Sequence, residues 1–316
     1  MLEFDVSTIL EDTNTRLANE YVEAFQEYLI AVVMKNSTQA RAARLRLEDV
    51  VREGMGRAEV LGVLSTVRKA AGVLSDDSAF AADRSRLVSF SNTAATKILS
   101  RVTFIESLED LQDRAPVTLR GPVNRIADQI ARLYSAAGAD GRGIIAFAHA
   151  AEASVTQRAQ ELITSAIRRG IPEQQIGRTL AFGIDKIREE TEAWTEGYAR
   201  MAFRTNLNDA VSRGRIRMAR DPDVKLAIPA LRYTAVGDGD TRPNHEAADG
   251  VILAVDNPAW NTMRPPFGYN CRCQLDLMSR PELRRMGRLD AAGKVIESRI
   301  PSGAHPDPGF RPGAAR

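Results

Sequence analysis

Cysteine is almost absent from this chain. Among 316 residues only Cys271 and Cys273 carry thiols. Two cysteines cannot form a disulfide scaffold, and with one residue between them a mutual disulfide would be strained. An excess of one charge is also lacking. Lys and Arg total 43 against 41 Asp and Glu, for a net charge of +2. The chain is therefore no wholesale polycation, and any contact with nucleic acid has to come from a local patch. Long apolar runs are missing too. The best, Tyr28 to Met34, falls far short of the ~20 residues a bilayer requires. The start Met1-Leu2-Glu3-Phe4-Asp5 is acidic, where a signal peptide begins basic. No fixed-period repeat stands out. These absences predict reduced or metal-bound thiols and no membrane partner. They also predict a protein that works inside a cell or leaves it only within a particle.

What is present is a helical pattern over most of the length. Leu10, Leu17, Tyr21, Phe25, Leu29 and Val32 recur at helical spacing. Asn36-Ser37-Thr38 breaks that helix and caps a second one, from about Gln39 to Glu53. Gly54 and Gly56 are expected to interrupt it before residues 57–74 resume the pattern. Thr103-Phe104-Ile105-Glu106 has the form of a capping box. Gly121-Pro122 marks a further helix start. Arg168-Arg169-Gly170-Ile171-Pro172 predicts a hairpin between helices near 152–169 and 173–220, because cations, a left-handed glycine and a helix-starting proline follow in order.

The character changes at Asp221-Pro222. Two β-type runs, Leu231 to Val236 and Val251 to Leu253, lie among Gly, Asp, Asn and Pro. The fold class expected is mainly α. A long multi-helix body (1–189) precedes a basic helix with a compact α+β module (190–280). A C-terminal helix and extended tail (281–316), loose or laid over a neighbour, complete the chain.

Three segments could carry chemistry. On the helix around 194–220, Arg200, Arg204, Arg213, Arg215, Arg217 and Arg220 face only Glu196 and Asp209. Such a helix could meet phosphate or an acidic partner. The alternative is a solvated or internally paired face. Trp194, Tyr198 and Phe203 between them read as core. The loop Gly237 to His245 gathers Asp240, Arg242 and His245 within nine positions, offering metal ligands or an acid/base pair. The Cys271-Arg272-Cys273 segment can bind a structural zinc through two thiolates, with His245 as third ligand and Asp240 or Asp249 as fourth. Its alternative is a pair of small buried thiols at a tight strand start. Arg242 is expected to pair with Asp240 or Asp249, and Trp260 and Phe267 to fill the small core. A module this small needs zinc, or packing on the preceding helices, for stability.

The ordered series Asp240-Thr241-Arg242-Pro243-Asn244-His245, Asp249-Gly250, Trp260, Pro265-Pro266 and Asn270-Cys271-Arg272-Cys273 resembles the phage Mu F-like head morphogenesis family over roughly residues 190–280. Arg204-Thr205 resembles the helix that enters that domain, and Asp307-Pro308-Gly309-Phe310 its tail strings. The resemblance implies a minor head protein of tailed phages rather than an enzyme. Its expected partners are the portal protein, other capsid components and packaged DNA. Its expected place is the virion head near the portal vertex, after assembly in the host cytoplasm. The resemblance extends to relatives with more Cys or His in this loop, a pattern similar to a zinc site; in this sequence Arg242 stands at the place of such a residue. The competing reading is a metal-dependent nuclease or transferase-like enzyme using Asp240, Arg242 and His245.

Overall fold

A computed structural model describes residues 6–33, 37–75, 92–100, 103–134, 168, 201 and 204–310. The expected hairpin at Arg168–Pro172, the aromatic residues Trp194, Tyr198 and Phe203, and Arg200 lie outside the described residues or at their margin. The chain divides into two compact units: Met1–Asn14 with Glu53–Gly138 and Ala202–Arg316, and Thr15–Arg52 with Ala139–Met201. None of the described helices is long and apolar enough to cross a membrane.

In the smaller unit, Leu17, Ala18, Tyr21, Ala24, Tyr28 and Ala31 are buried. Their i, i+3/i+4 spacing places them along one helical stripe. Leu47 and Val51 are also buried, and Arg46 donates to Glu27 at 2.7 Å.

Among the described residues, the larger unit holds helix Ser37–Ser75 from Glu53 onward, the helices between 92 and 133, and all of 204–310 with the sheet. Helix Ser37–Ser75 runs unbroken through Gly54 and Gly56, contrary to the expected interruption. Gly56 accommodates the Phe104 ring, whose Cγ would lie 2.7 Å from a Cβ there. Tertiary packing thus outweighs the ~1 kcal/mol helix penalty of glycine. The capping box at Thr103 and Glu106 starts helix Phe104–Arg114 as expected. That helix packs on Asn92–Leu99 and on Arg120–Leu133. Arg120–Leu133 begins just before Gly121-Pro122, and the described stretch 204–219 is helical.

Gly62 and Gly214 sit where Ser37–Ser75 crosses the 204–219 helix. A Cβ on Gly62 would lie 2.2 Å from the Val211 carbonyl oxygen, and one on Gly214 would lie 2.2 Å from that of Glu59. The two helix backbones are therefore in direct contact.

Asp221 caps a short helix, Pro222–Lys225, with Pro222 in its first turn, so the chain breaks where the sequence indicated. Beyond it lie β1 (Ala230–Thr234), β2 (Ile252–Ala254) and β3 (Gln274–Met278). They form an antiparallel sheet in the order β2-β1-β3, with Leu231 opposite Leu253 on one side and Leu277 on the other. β3 had no separate signature in the sequence. Ala230, Ile252, Met278 and Leu283 of helix Arg280–Arg285 form the module core. Trp260 and Phe267 are fully buried, as expected. The edge strand β2 is covered: Ser298 exchanges hydrogen bonds with Ile252, and Glu297 accepts from the Ala254 amide. Such a cover removes an exposed pairing edge.

Candidate functional site: a buried thiol–imidazole cluster

His245 lies on the short helix Pro243–Ala247, which Pro243 begins. Cys271 and Cys273 immediately precede β3. The three side chains converge in the interior: His245 Nδ1 is 3.6 Å from Cys271 Sγ and 3.5 Å from Cys273 Sγ. All three are buried. Phe267 packs its edge against the imidazole, with ring centroids 5.5 Å apart. The buried Tyr233 hydroxyl faces both thiols without an aligned hydrogen bond, and burial first, then the two sulfurs, push its ionisation up. The hydrogen bond from Cys273 draws the Cys271 thiol well below its ordinary range, and the same bond pushes Cys273 up.

The 204–219 helix holds this segment from outside. Arg204 Nη1 donates to Asn270 Oδ1 at 2.9 Å, and Thr205 Oγ1 accepts from the Asn270 amide at 2.9 Å. Asn270 takes a left-handed conformation (φ 60°), which asparagine tolerates better than most residues. Asn208 Nδ2 donates to the carbonyls of both Cys271 (3.0 Å) and Cys273 (2.8 Å). Asn208→Leu leaves both buried oxygens without a donor. It is expected to cost about 1–3 kcal/mol in a urea titration; an unchanged midpoint would exclude this role.

The C-terminal segment lies over the other side. The Asp307 amide donates to the Phe267 carbonyl at 2.7 Å, and Asn244 donates to His305 O and to Asp307 Oδ1. Asp307 Oδ1 stands 3.4 Å from His245 Nε2, an ion-pair distance that lacks hydrogen-bond alignment. A Cβ on Gly268 would overlap the Asp307 carboxylate, so the carboxylate packs directly against the glycine. Phe310 meets Tyr269 edge to face at 5.3 Å. The described tail, through residue 310, is thus laid down on its own module.

Other expected placements are corrected. Asp240 is outside the cluster: its side chain is 93% exposed, 4.0 Å from Arg272. Asp249 is also excluded, because its carboxylate accepts from the Ala235 amide. The closest described partners of Arg242 are Tyr269 O and Asp307 rather than either acid. Arg272 pairs with Asp238 and holds that carboxyl below its usual range. Gly250 donates its amide to Tyr233 O, Trp260 donates Nε1 to Ala254 O, and Pro265 and Pro266 are buried beside Phe267. Asp240, Arg242 and His245 therefore share no open catalytic pocket.

The described arginines of the basic helix are engaged within the chain, three of them by acids. Arg204 pairs with Glu11 at 3.0 Å. Arg213 lies between Glu59 (3.6 Å) and Asp209 (3.3 Å). Arg217 pairs with Glu59 at 2.9 Å, and Arg264 with Asp209 at 3.1 Å. Arg215 is buried, donates to Ser65 and to the Leu275 carbonyl, and is pulled down to about 10 by burial. Sequence reasoning missed Asn208, Tyr233, Glu59 and Asp307 as partners. Asn208, one helical turn after Arg204-Thr205, had a local signal, and Asp307 stood in the tail string Asp307-Pro308-Gly309-Phe310 without being read as a partner.

No solved structure matches the chain. Residues 157–276 match the family described as Phage Mu protein F like protein. A protein of Escherichia phage Mu, named as a capsid assembly protein F, is 29% identical over 152 residues, covering 44% of this chain and 35% of the relative. The Mu-like prophage FluMu F protein of Haemophilus influenzae is 41% identical over 59 residues, covering 19% of this chain and 14% of the relative. The chain thus spans about a third of the first relative and about a seventh of the second. Residues 157–276 are thus similar to the phage Mu protein F like family.

Proposed function

We propose that this chain is a structural minor head protein of a tailed phage. It acts in head assembly, sits near the portal vertex, and assists DNA packaging or delivery. The observation that carries this reading is the family match over 157–276, together with a relative named for capsid assembly. The motif residues support it, because they form hydrogen bonds and core contacts of the module rather than an open reaction centre.

The partners in this reading are the portal protein and other capsid components, with packaged DNA as a further contact. A cleft of about 820 Å³ offers a surface for them, lined by Arg125, Arg217, Arg220, Asp221, Asp223 and Arg264 among others. Burial and the neighbouring Arg264 charge lower the Arg220 ionisation. An acidic side chain or a phosphate placed there relieves that crowding. DNA contact through Arg204, Arg213 or Arg217 has to displace their in-chain acids, which favours an acidic protein surface as the main contact. The enzyme reading has less support, since Asp240 is exposed and His245 is buried.

Purified particles of the phage that encodes the chain are expected to contain it by mass spectrometry. Deleting the gene is expected to yield defective or empty heads. A chain absent from particles, with deletion leaving infectivity intact, would sink the proposal.

A further inference from the structure

Two thiols and His245 Nδ1 converge within hydrogen-bond distance in the module interior. Two buried polar atoms beside them, Tyr233 Oη and His245 Nε2, have no aligned partner. An unsatisfied buried polar group is costly unless a further centre satisfies it. The donor set names the class of that centre: two sulfurs and one imidazole nitrogen suit a thiophilic divalent cation rather than magnesium or calcium. The spacing fits as well. Zinc bonds of ~2.3 Å to sulfur and ~2.0–2.1 Å to nitrogen give a tetrahedral S···N edge of about 3.6 Å. The two S···N separations here are 3.6 and 3.5 Å.

The other ring nitrogen supplies the second half of the argument. A metal-bound imidazole is oriented by an acceptor on its far nitrogen. Here the far nitrogen, Nε2, faces Asp307 at 3.4 Å. Asp307 belongs to the C-terminal segment, which reaches this position through Gly268 and the Phe267 carbonyl.

We propose that His245 Nδ1, Cys271 Sγ and Cys273 Sγ bind one zinc ion, and that Asp307 fixes the imidazole for it, so that metal binding and docking of residues 301–310 are coupled. A fourth, exogenous ligand such as water completes the tetrahedron. Asp307 is a positioning residue: it acts on the ligand and leaves the metal untouched. The proposal stands apart from the head-assembly reading, since it concerns only the module's interior.

The test uses the full chain, stripped of metal and titrated with zinc, or with cobalt as a spectroscopic substitute. One equivalent is expected, with a thiolate-to-cobalt charge-transfer band. Zinc should protect both thiols from alkylation, and amide exchange across 301–310 should slow on zinc addition. Asp307→Ala is expected to weaken zinc 10- to 100-fold while keeping the cobalt band, with Asp307→Asn recovering part of the loss. Cys271→Ser should abolish the band; if that variant fails to fold, the alkylation result on the unaltered chain decides. A folded chain with no band and no thiol protection overturns the metal site. Unchanged zinc affinity in Asp307→Ala, together with unchanged exchange at 301–310, overturns the coupling.

Discussion

Gly214→Ala is expected to destabilise the chain by about 3 kcal/mol or more, within the upper range of overpacking costs. On helix propensity alone the same change would stabilise by up to about 1 kcal/mol, so even the sign of the effect tests the structure. The reason lies in what the methyl meets. It would stand 2.2 Å from the Glu59 carbonyl oxygen and 3.1 Å from Gly62 Cα. Both are backbone atoms of a packed helix, and neither can swing aside as a flexible side chain would. Relief requires the two helices to separate. That motion would also disturb Arg215, which bridges Ser65 and Leu275. Gly62→Ala should behave alike, and the double variant should cost less than the sum of the singles, because one separation serves both. Urea or thermal unfolding reads the result, and a Gly214→Ala protein as stable as the parent would refute the crossing.

Glu59→Gln carries the second large effect. Glu59 is 1% exposed and accepts from Tyr134 Oη at 2.7 Å and from Arg217 Nε at 2.9 Å, with Arg213 Nε at 3.6 Å. The change keeps shape and removes charge. Arg217 loses its only carboxylate partner among the described residues, while Arg213 retains Asp209. Breaking a buried pair by removing one partner costs about 3–5 kcal/mol. Retention of Asp209 should place this variant near 3 kcal/mol, the lower end. Buried pairs are screened little by salt, so the loss should persist at ~1 M salt. A deficit that vanished with added salt would mean that Glu59 acts from the surface.

These residues also indicate how far the sequence is legible. The helical body, the break at Asp221-Pro222 and the capping box at Thr103 are local signals, and each appears where local chemistry puts it. The thiol–imidazole cluster was legible too, because the chemistry of cysteine and histidine singles them out at any spacing. The counter-charges were not. Near the basic helix the sequence offers Glu196 and Asp209, whereas Glu59 lies 158 residues from Arg217. Nothing in the Glu59 neighbourhood distinguishes it from a solvated glutamate on a helix. Asp240 illustrates the reverse error. Its closeness in sequence to His245 suggested a ligand, but the turn directs it to solvent, and the carboxylate nearest the imidazole comes from Asp307. Asn244, one position before His245, reaches the same aspartate across 63 residues.

Asn208 grips the cysteines through their carbonyl oxygens and leaves both sulfurs untouched. The shape of the turn and the reactivity within it are therefore separately adjustable. The backbone path is set by an amide on another helix, and the side chains at 271 and 273 can change without loosening that hold. Lineages of this fold could exchange sulfur for oxygen or a methyl group and keep the scaffold intact. The chemistry of the module's interior can in this way change while its outer surface stays the same.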